Sequence, residues 1–230
     1  MRSQLFLALG IVLLSACSGS DNSTAPNVQQ SISADTAAVE ADGCDNFNTD
    51  GTALFGDLHV HTSYSFDAAA NSVGTTPTDA HRYARGEAIP FFPVDKQGVP
   101  LGSVKIDRPL DFLAVTDHGE FLGERALCRT EGSSAYNTTF CNNYRVNERQ
   151  GMMMLGSVIT TETPVRIEEI CGADGSQCSQ YAESPWQDIQ LAANNAYAPC
   201  EFTSFVAYEY TGTPGTSNYH RNVIFRDNNV

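Results

Sequence analysis

The stretch that most narrows the possible folds is Leu110 to Val115 (LDFLAV), followed at once by Thr116, Asp117, His118, Gly119 and Glu120. A nearly continuous apolar run of this kind is expected of a strand buried on both faces in a parallel sheet. A second strand is expected over Leu54 to His61, where alternation puts Asp57, His59 and His61 on one face and Leu58 and Val60 on the other. Phe202 to Tyr210 (FTSFVAYEY) is aromatic and β-branched, hence a third, with Phe205, Ala207 and Glu209 sharing a face. Asn222 to Phe225 is a short fourth, preceded directly by His220.

Helices fall between these strands. Thr76 serves as an N-cap before Pro77, with Asp79 near the positive end, and the helix carries Ala80, His81, Tyr83 and Ala84 before stopping near Gly86. Asp95 to Lys105 is a loop or hairpin. A further helix opens at Ser184, Pro185 and Trp186 and runs through Ile189, Leu191, Ala192 and Ala196 to near Pro199. Cys128 to Gln180 carries no clear pattern, and its Met152 to Leu155 run reads as core or interface filling. Alternating strands and helices argue for α/β layering around a parallel sheet or barrel. In such folds the site lies at the C-terminal ends of strands, where His61, His118 and Glu209 fall.

The N-terminus reads as an export signal. Arg2 precedes an apolar run from Leu5 to Leu14, too short to span a membrane and suited to a signal-peptide core. It ends in Leu14, Ser15, Ala16 and Cys17, which resembles the bacterial lipobox and implies cleavage before Cys17 and lipidation of that residue. Ser18, not Asp, follows, which favours the outer membrane, facing the periplasm. Residues 1–17 are thus a lipoprotein signal ending at Cys17, and 18–43, polar and without aromatics, a flexible tether. The folded part, 44–230, begins near Cys44. Six cysteines remain, an even number that in an exported chain reads as up to three disulfides. Cys128 with Cys141 and Cys171 with Cys178 are the short-loop pairs. The net charge of −14 argues against binding nucleic acid or anionic lipid electrostatically.

Four of the five histidines stand beside acids near strand ends: His59, His61, His118 and His220, with Asp67, Asp117, Glu120 and Glu209. Imidazoles and carboxylates together suit zinc, manganese or iron. His81, within a helix, is expected to pack or face solvent.

The strings GDLHVHTSYSFDA (56–68), TPTDAHRYARGE (76–87), RPLDFLAVTDHGEFLG (108–123), FTSFVAYEYT (202–211) and HRNVIFR (220–226) together resemble the PHP (polymerase and histidinol phosphatase) superfamily of metal-dependent phosphoesterases. The closer likeness is to a bacterial branch classed as a domain of unknown function. The resemblance implies an incomplete, distorted (β/α) barrel with long disulfide-bearing insertions. It implies that His59, His61, Asp67, His118, Glu209 and His220 bind metal, roughly two or three divalent ions in the full-length protein. His59, His61 and Glu209 would act in catalysis through that cluster, where an ion-activated hydroxide attacks phosphorus. Asp57, Asp117 and Glu120 would support the ligands by hydrogen bonds. The expected partner is a small-molecule, phosphorylated substrate.

Two departures accompany the likeness. The superfamily completes its site with another histidine and a late D-x-H pair, and no histidine here follows His220. The chain therefore reads as the N-terminal part of a longer protein, holding fewer metals and catalytically incomplete as it stands. His220 also precedes its apolar run, so that strand is antiparallel or His220 sits on a loop folding back. Two other functions stay open: hydrolysis of a non-phosphate extracellular substrate, and an exported metal-binding module without catalysis.

Overall fold

The computed structural model describes residues 44–45, 48–227 and 230. The signal peptide, Cys17 and nearly all of the tether expected before Cys44 lie outside the described residues. Seven strands are described: β1 (Gly56–Val60), β2 (Ile89–Val94), β3 (Pro100–Val104), β4 (Phe112–Val115), β5 (Thr203–Phe205), β6 (Ala207–Gly212) and β7 (Tyr219–Ile224). Between them run α1 (Phe66–Ala70), α2 (Pro77–Ala84), α3 (Leu122–Arg129), α4 (Thr139–Val146), α5 (Glu148–Ile159), α6 (Glu168–Cys171) and α7 (Ser176–Ala196).

The apolar run Leu110 to Val115 forms the middle of the fold, as its composition requires. β4 lies between β1 and β5, parallel to both. Leu113 and Val115 pack with Ala80 and Ala84 of α2, Ala196 of α7 and Phe202. The fold is thus mixed α/β with a parallel sheet, and no closed barrel is found among the described residues.

Seven strands replace the four expected, for two reasons. The stretch after Gly86, read as loop or hairpin only from Asp95 onward, is an antiparallel ribbon of β2 and β3. The aromatic run Phe202 to Tyr210 breaks at the buried Val206, and its halves take different partners. β5 joins the parallel sheet, whereas β6 pairs antiparallel with β7. Glu209 therefore sits inside an antiparallel ribbon and not at the end of a parallel strand. That ribbon still abuts the sheet: Glu209 N–H donates to the Asp117 carbonyl at 3.0 Å, and Gly119 N–H donates to the Glu209 carbonyl at 3.1 Å.

α2 forms where its cap predicts. The Thr76 hydroxyl accepts from Asp79 N–H, and the Asp79 carboxylate accepts from Thr76 N–H, a reciprocal capping box with Pro77 in the first turn. α7 departs from expectation by starting at Ser176, so Pro185 lies within it and does not open it. The unpatterned Cys128 to Gln180 stretch is mostly helical. Thr138 and Asn147 cap α4 and α5 by accepting from Cys141 N–H and Gln150 N–H. Leu127, Phe140, Tyr144, Leu155 and Ile170 close a second core with four cysteines, and burial of each large apolar side chain is worth about 1.5–3 kcal/mol.

Disulfides join Cys128 to Cys141 and Cys171 to Cys178, the two short-loop pairs, and Cys44 to Cys200. Three disulfides are consistent with an exported protein. Among the described residues, no helix is long and apolar enough to cross a membrane.

Candidate metal centre

β1 delivers the first two imidazoles. Its alternation turns His59 and His61 toward one side, and their Nε2 atoms lie 3.2 Å apart. Past Val60 the chain leaves the sheet in a turn held by Asp117, whose buried carboxylate accepts from Thr62 N–H at 2.5 Å and from the Thr62 hydroxyl at 2.6 Å. That turn brings Ser65 and Asp67 back under the His61 ring. Both Asp67 oxygens lie 3.1 Å from His61 Nδ1, and the Ser65 hydroxyl donates to Asp67 Oδ1 at 2.5 Å.

β4 delivers His118 just beyond its end. Its main-chain N–H donates to the Ser65 hydroxyl, tying it to the same turn. Its Nε2 faces Glu209 Oε2 at 3.8 Å and Asp67 Oδ2 at 3.9 Å. The β6–β7 ribbon delivers the remainder. Register places Thr211 directly opposite His220, and Glu209 lies two residues before Thr211 on the same face. The pairing shows this strand to be antiparallel, and His220 Nδ1 lies 2.6 Å from Glu209 Oε1.

Glu209, only 2% exposed, is the common element. Its Oε2 lies 2.7 Å from His61 Nε2 and 3.1 Å from His59 Nε2. Three groups have ligand atoms within 4.8 Å of one another: His59, His61 and Glu209; His61, Asp67 and His118; and His118, Glu209 and His220. All six residues expected to bind metal are therefore brought together.

The supporting acids divide. Asp117 anchors the turn and Glu120 accepts from Thr211 N–H at 2.5 Å, with its other oxygen 3.4 Å from His118 Nδ1. Asp57 accepts from the main-chain N–H of His59. His81 stands apart, buried and edge-on to Phe202, as a packing residue. Thr62, Ser65, Thr211 and Asn218 were not anticipated. Their one sequence signal is position: Ser65 lies two residues from Asp67, and Thr211 two from Glu209.

Residues 48–230 match the family described as "Protein of unknown function (DUF3604)". The chain belongs to the DUF3604 family. No curated protein and no solved structure matches it.

In this DUF3604 chain the geometry poses an electrostatic question at His61. Asp67 accepts the Nδ1–H, so a neutral ring must present its Nε2 lone pair to a carboxylate oxygen 2.7 Å away. Two lone pairs at that distance need a cation between them. Burial of His61 opposes charge, yet its contacts with Asp67 and Glu209 outweigh burial and raise its pKa above the usual value. The same contacts work in reverse on the acids. Burial would raise both carboxyls, but hydrogen bonds from His61 and Ser65 hold Asp67 well below the ordinary range, and His118, His220 and His61 lower Glu209.

A metal ion fits the place of that cation. Ligands 2.0–2.2 Å from one ion lie roughly 2.8–3.6 Å apart. In the triangle of His59, His61 and Glu209 atoms two edges, 3.2 and 3.1 Å, lie in that range and the third, 2.7 Å, is slightly shorter. A separate cluster of Glu124 with Cys171 and Cys178 offers no thiolate, because the two cysteines form a disulfide. Glu124 pairs instead with Arg166 at 2.9 Å.

Proposed function

We propose that the protein is a metal-dependent hydrolase of PHP type that cleaves phosphate esters, with the β1–β4–β5 sheet as part of a distorted barrel. The observation that carries this reading is the set of imidazole nitrogens converging on the buried Glu209 carboxylate. A divalent ion held there supplies Lewis acidity and lowers the pKa of water towards neutrality. His59, His61 and Glu209 would hold one ion, and His118, Glu209 and His220 another, with Asp67 beside both His61 and His118. Zinc, manganese and iron suit this donor set.

The chain's own residues set the conditions. Asp67 takes the Nδ1–H of His61 and so directs that ring's lone pair at Glu209. Asp117 fixes the turn through Thr62, so the two β1 imidazoles keep their spacing. Burial of Glu209 keeps its carboxylate from being satisfied by solvent. On this account the protein is anchored by lipid on Cys17 at the outer membrane, facing the periplasm, and takes small-molecule substrates.

One observation favours a second reading, hydrolysis of a non-phosphate ester. A cavity of about 450 Å³ has His61 on its wall and is otherwise lined largely by apolar residues, including Val60, Ala84, Leu110 and Leu113. Such a lining suits a substrate with an apolar body.

A substrate panel on the full-length protein loaded with manganese or zinc separates the two. Nitrophenyl phosphate mono- or diesters should turn over, and His59→Ala should lower that rate on the order of 100-fold by removing one ligand of the ion. Turnover of carboxylic esters alone would favour the second reading. Metal bound with no turnover of either class, or His59→Ala matching wild type, would overturn the hydrolase account.

A further inference from the structure

We propose that Thr211 is the positioning residue that aligns His118 and His220 on the metal centre, an inference that rests on the metal reading above. Thr211 is 7% exposed, and its hydroxyl lies between the two rings, 2.8 Å from His118 Nδ1 and 3.0 Å from His220 Nδ1. Glu209 also meets both rings, but on the side where the ion would sit, whereas Thr211 meets His118 at the opposite nitrogen. The hydroxyl has two lone pairs, so it can accept the His118 Nδ1–H, while against His220 it acts by contact, since the single lone pair of that Nδ1 is the one that faces Glu209.

The surroundings decide which ring donates. His118 Nε2 is the nitrogen that faces Glu209 and Asp67, at 3.8 and 3.9 Å, and it must keep its lone pair if it is to serve as a ligand. The neutral ring then carries its proton on Nδ1 and donates it to Thr211 Oγ1. A metal-binding histidine characteristically gives its other N–H to such a partner, which fixes both tautomer and ring orientation. His220 is held at its two nitrogens by different groups: Nε2 lies 2.6 Å from Asn218 Oδ1, and Nδ1 faces Glu209 Oε1 with Thr211 alongside. Thr211 is itself fixed from the main chain, since its N–H donates to Glu120. One β6 residue thus couples the β4 histidine to the β7 histidine, and it does so from the face that carries Glu209.

Thr211→Val removes the hydroxyl and keeps the shape, and Thr211→Ser restores the hydroxyl. Chelator competition on the full chain should show metal affinity about 10–100-fold weaker in Thr211→Val, with Thr211→Ser near wild type. Cobalt-substituted protein should show an altered visible absorption spectrum in Thr211→Val alone, a signature that a purely structural role would not move. Wild-type affinity and spectrum in Thr211→Val would overturn the positioning role while leaving the metal centre standing. Equal loss in both variants would also overturn it, because the hydroxyl would then not be the cause. A wild-type chain that binds no metal would overturn the metal reading and this role with it.

Discussion

Position 81 shows how much one buried polar group can reveal. The His81 ring is 2% exposed, and neither nitrogen meets a hydrogen-bonding partner among the described residues. Burial alone pushes its pKa down to about 4 from the usual 6.5. A folded-state value below the unfolded one means that the unfolded chain binds the proton first. The neutral ring's contribution is fully present above pH 6.5 and is lost as pH falls toward 4. At about 1.4 kcal/mol per pKa unit, the loss amounts to about 3 kcal/mol. Denaturant melts at pH 7 and pH 4.5 should show a smaller acid loss in His81→Leu than in wild type, and equal losses would contradict the account. Sequence alone sets His81 apart from the strand-end histidines, because it lies within α2, but leaves open whether it packs or faces solvent. It could not foresee that the packing would be this complete.

Among elements, the legible ones carry periodic or cap signals, and the illegible ones rely on substitutes for an apolar face. β4 and α2 follow from LDFLAV and from the Thr76–Asp79 cap. α4 buries only Phe140, Cys141 and Tyr144, and one of these three is a disulfide cysteine that a hydrophobic pattern does not count. The start of α7 is not legible because Pro185 resembles a first-turn proline, whereas Cys178 already pins the helix to α6 two turns earlier. The α3–α7 contact depends on a missing side chain. A Cβ on Gly123 would lie 1.8 Å from the Cys178 carbonyl oxygen, and backbone cannot rotate away. Gly123→Ala should cost about 2–4 kcal/mol, measured by thermal or denaturant unfolding. Gly156, inside α5 with no atom near its Cβ position, is the control, and Gly156→Ala should gain about 0.5–1 kcal/mol.

At the scale of the molecule, long-range ties converge on the site. The Cys44–Cys200 disulfide closes a separation of 156 residues and fixes the chain directly before β5. On a chain-entropy account such a loop is worth about 5 kcal/mol, more than either short disulfide. The candidate ligands come from β1 and the residue after it, the first turn of α1, the end of β4 and the β6–β7 ribbon. Their residue types were legible because histidines are few and each stands beside an acid. The groups that orient them, Ser65, Thr211 and Asn218, were not legible, since a hydroxyl or amide gains meaning only from what the fold places against it.

Metal content tests the central claim most directly. Full-length protein, purified without chelator and assayed by elemental analysis, should retain at least about one divalent transition-metal ion per chain. Glu209→Ala, which removes the carboxylate that four imidazoles face, should lose it while still folding by circular dichroism. A wild-type chain that takes up no metal even when manganese, zinc or iron is supplied, or a folded Glu209→Ala that keeps its full complement, would contradict the account.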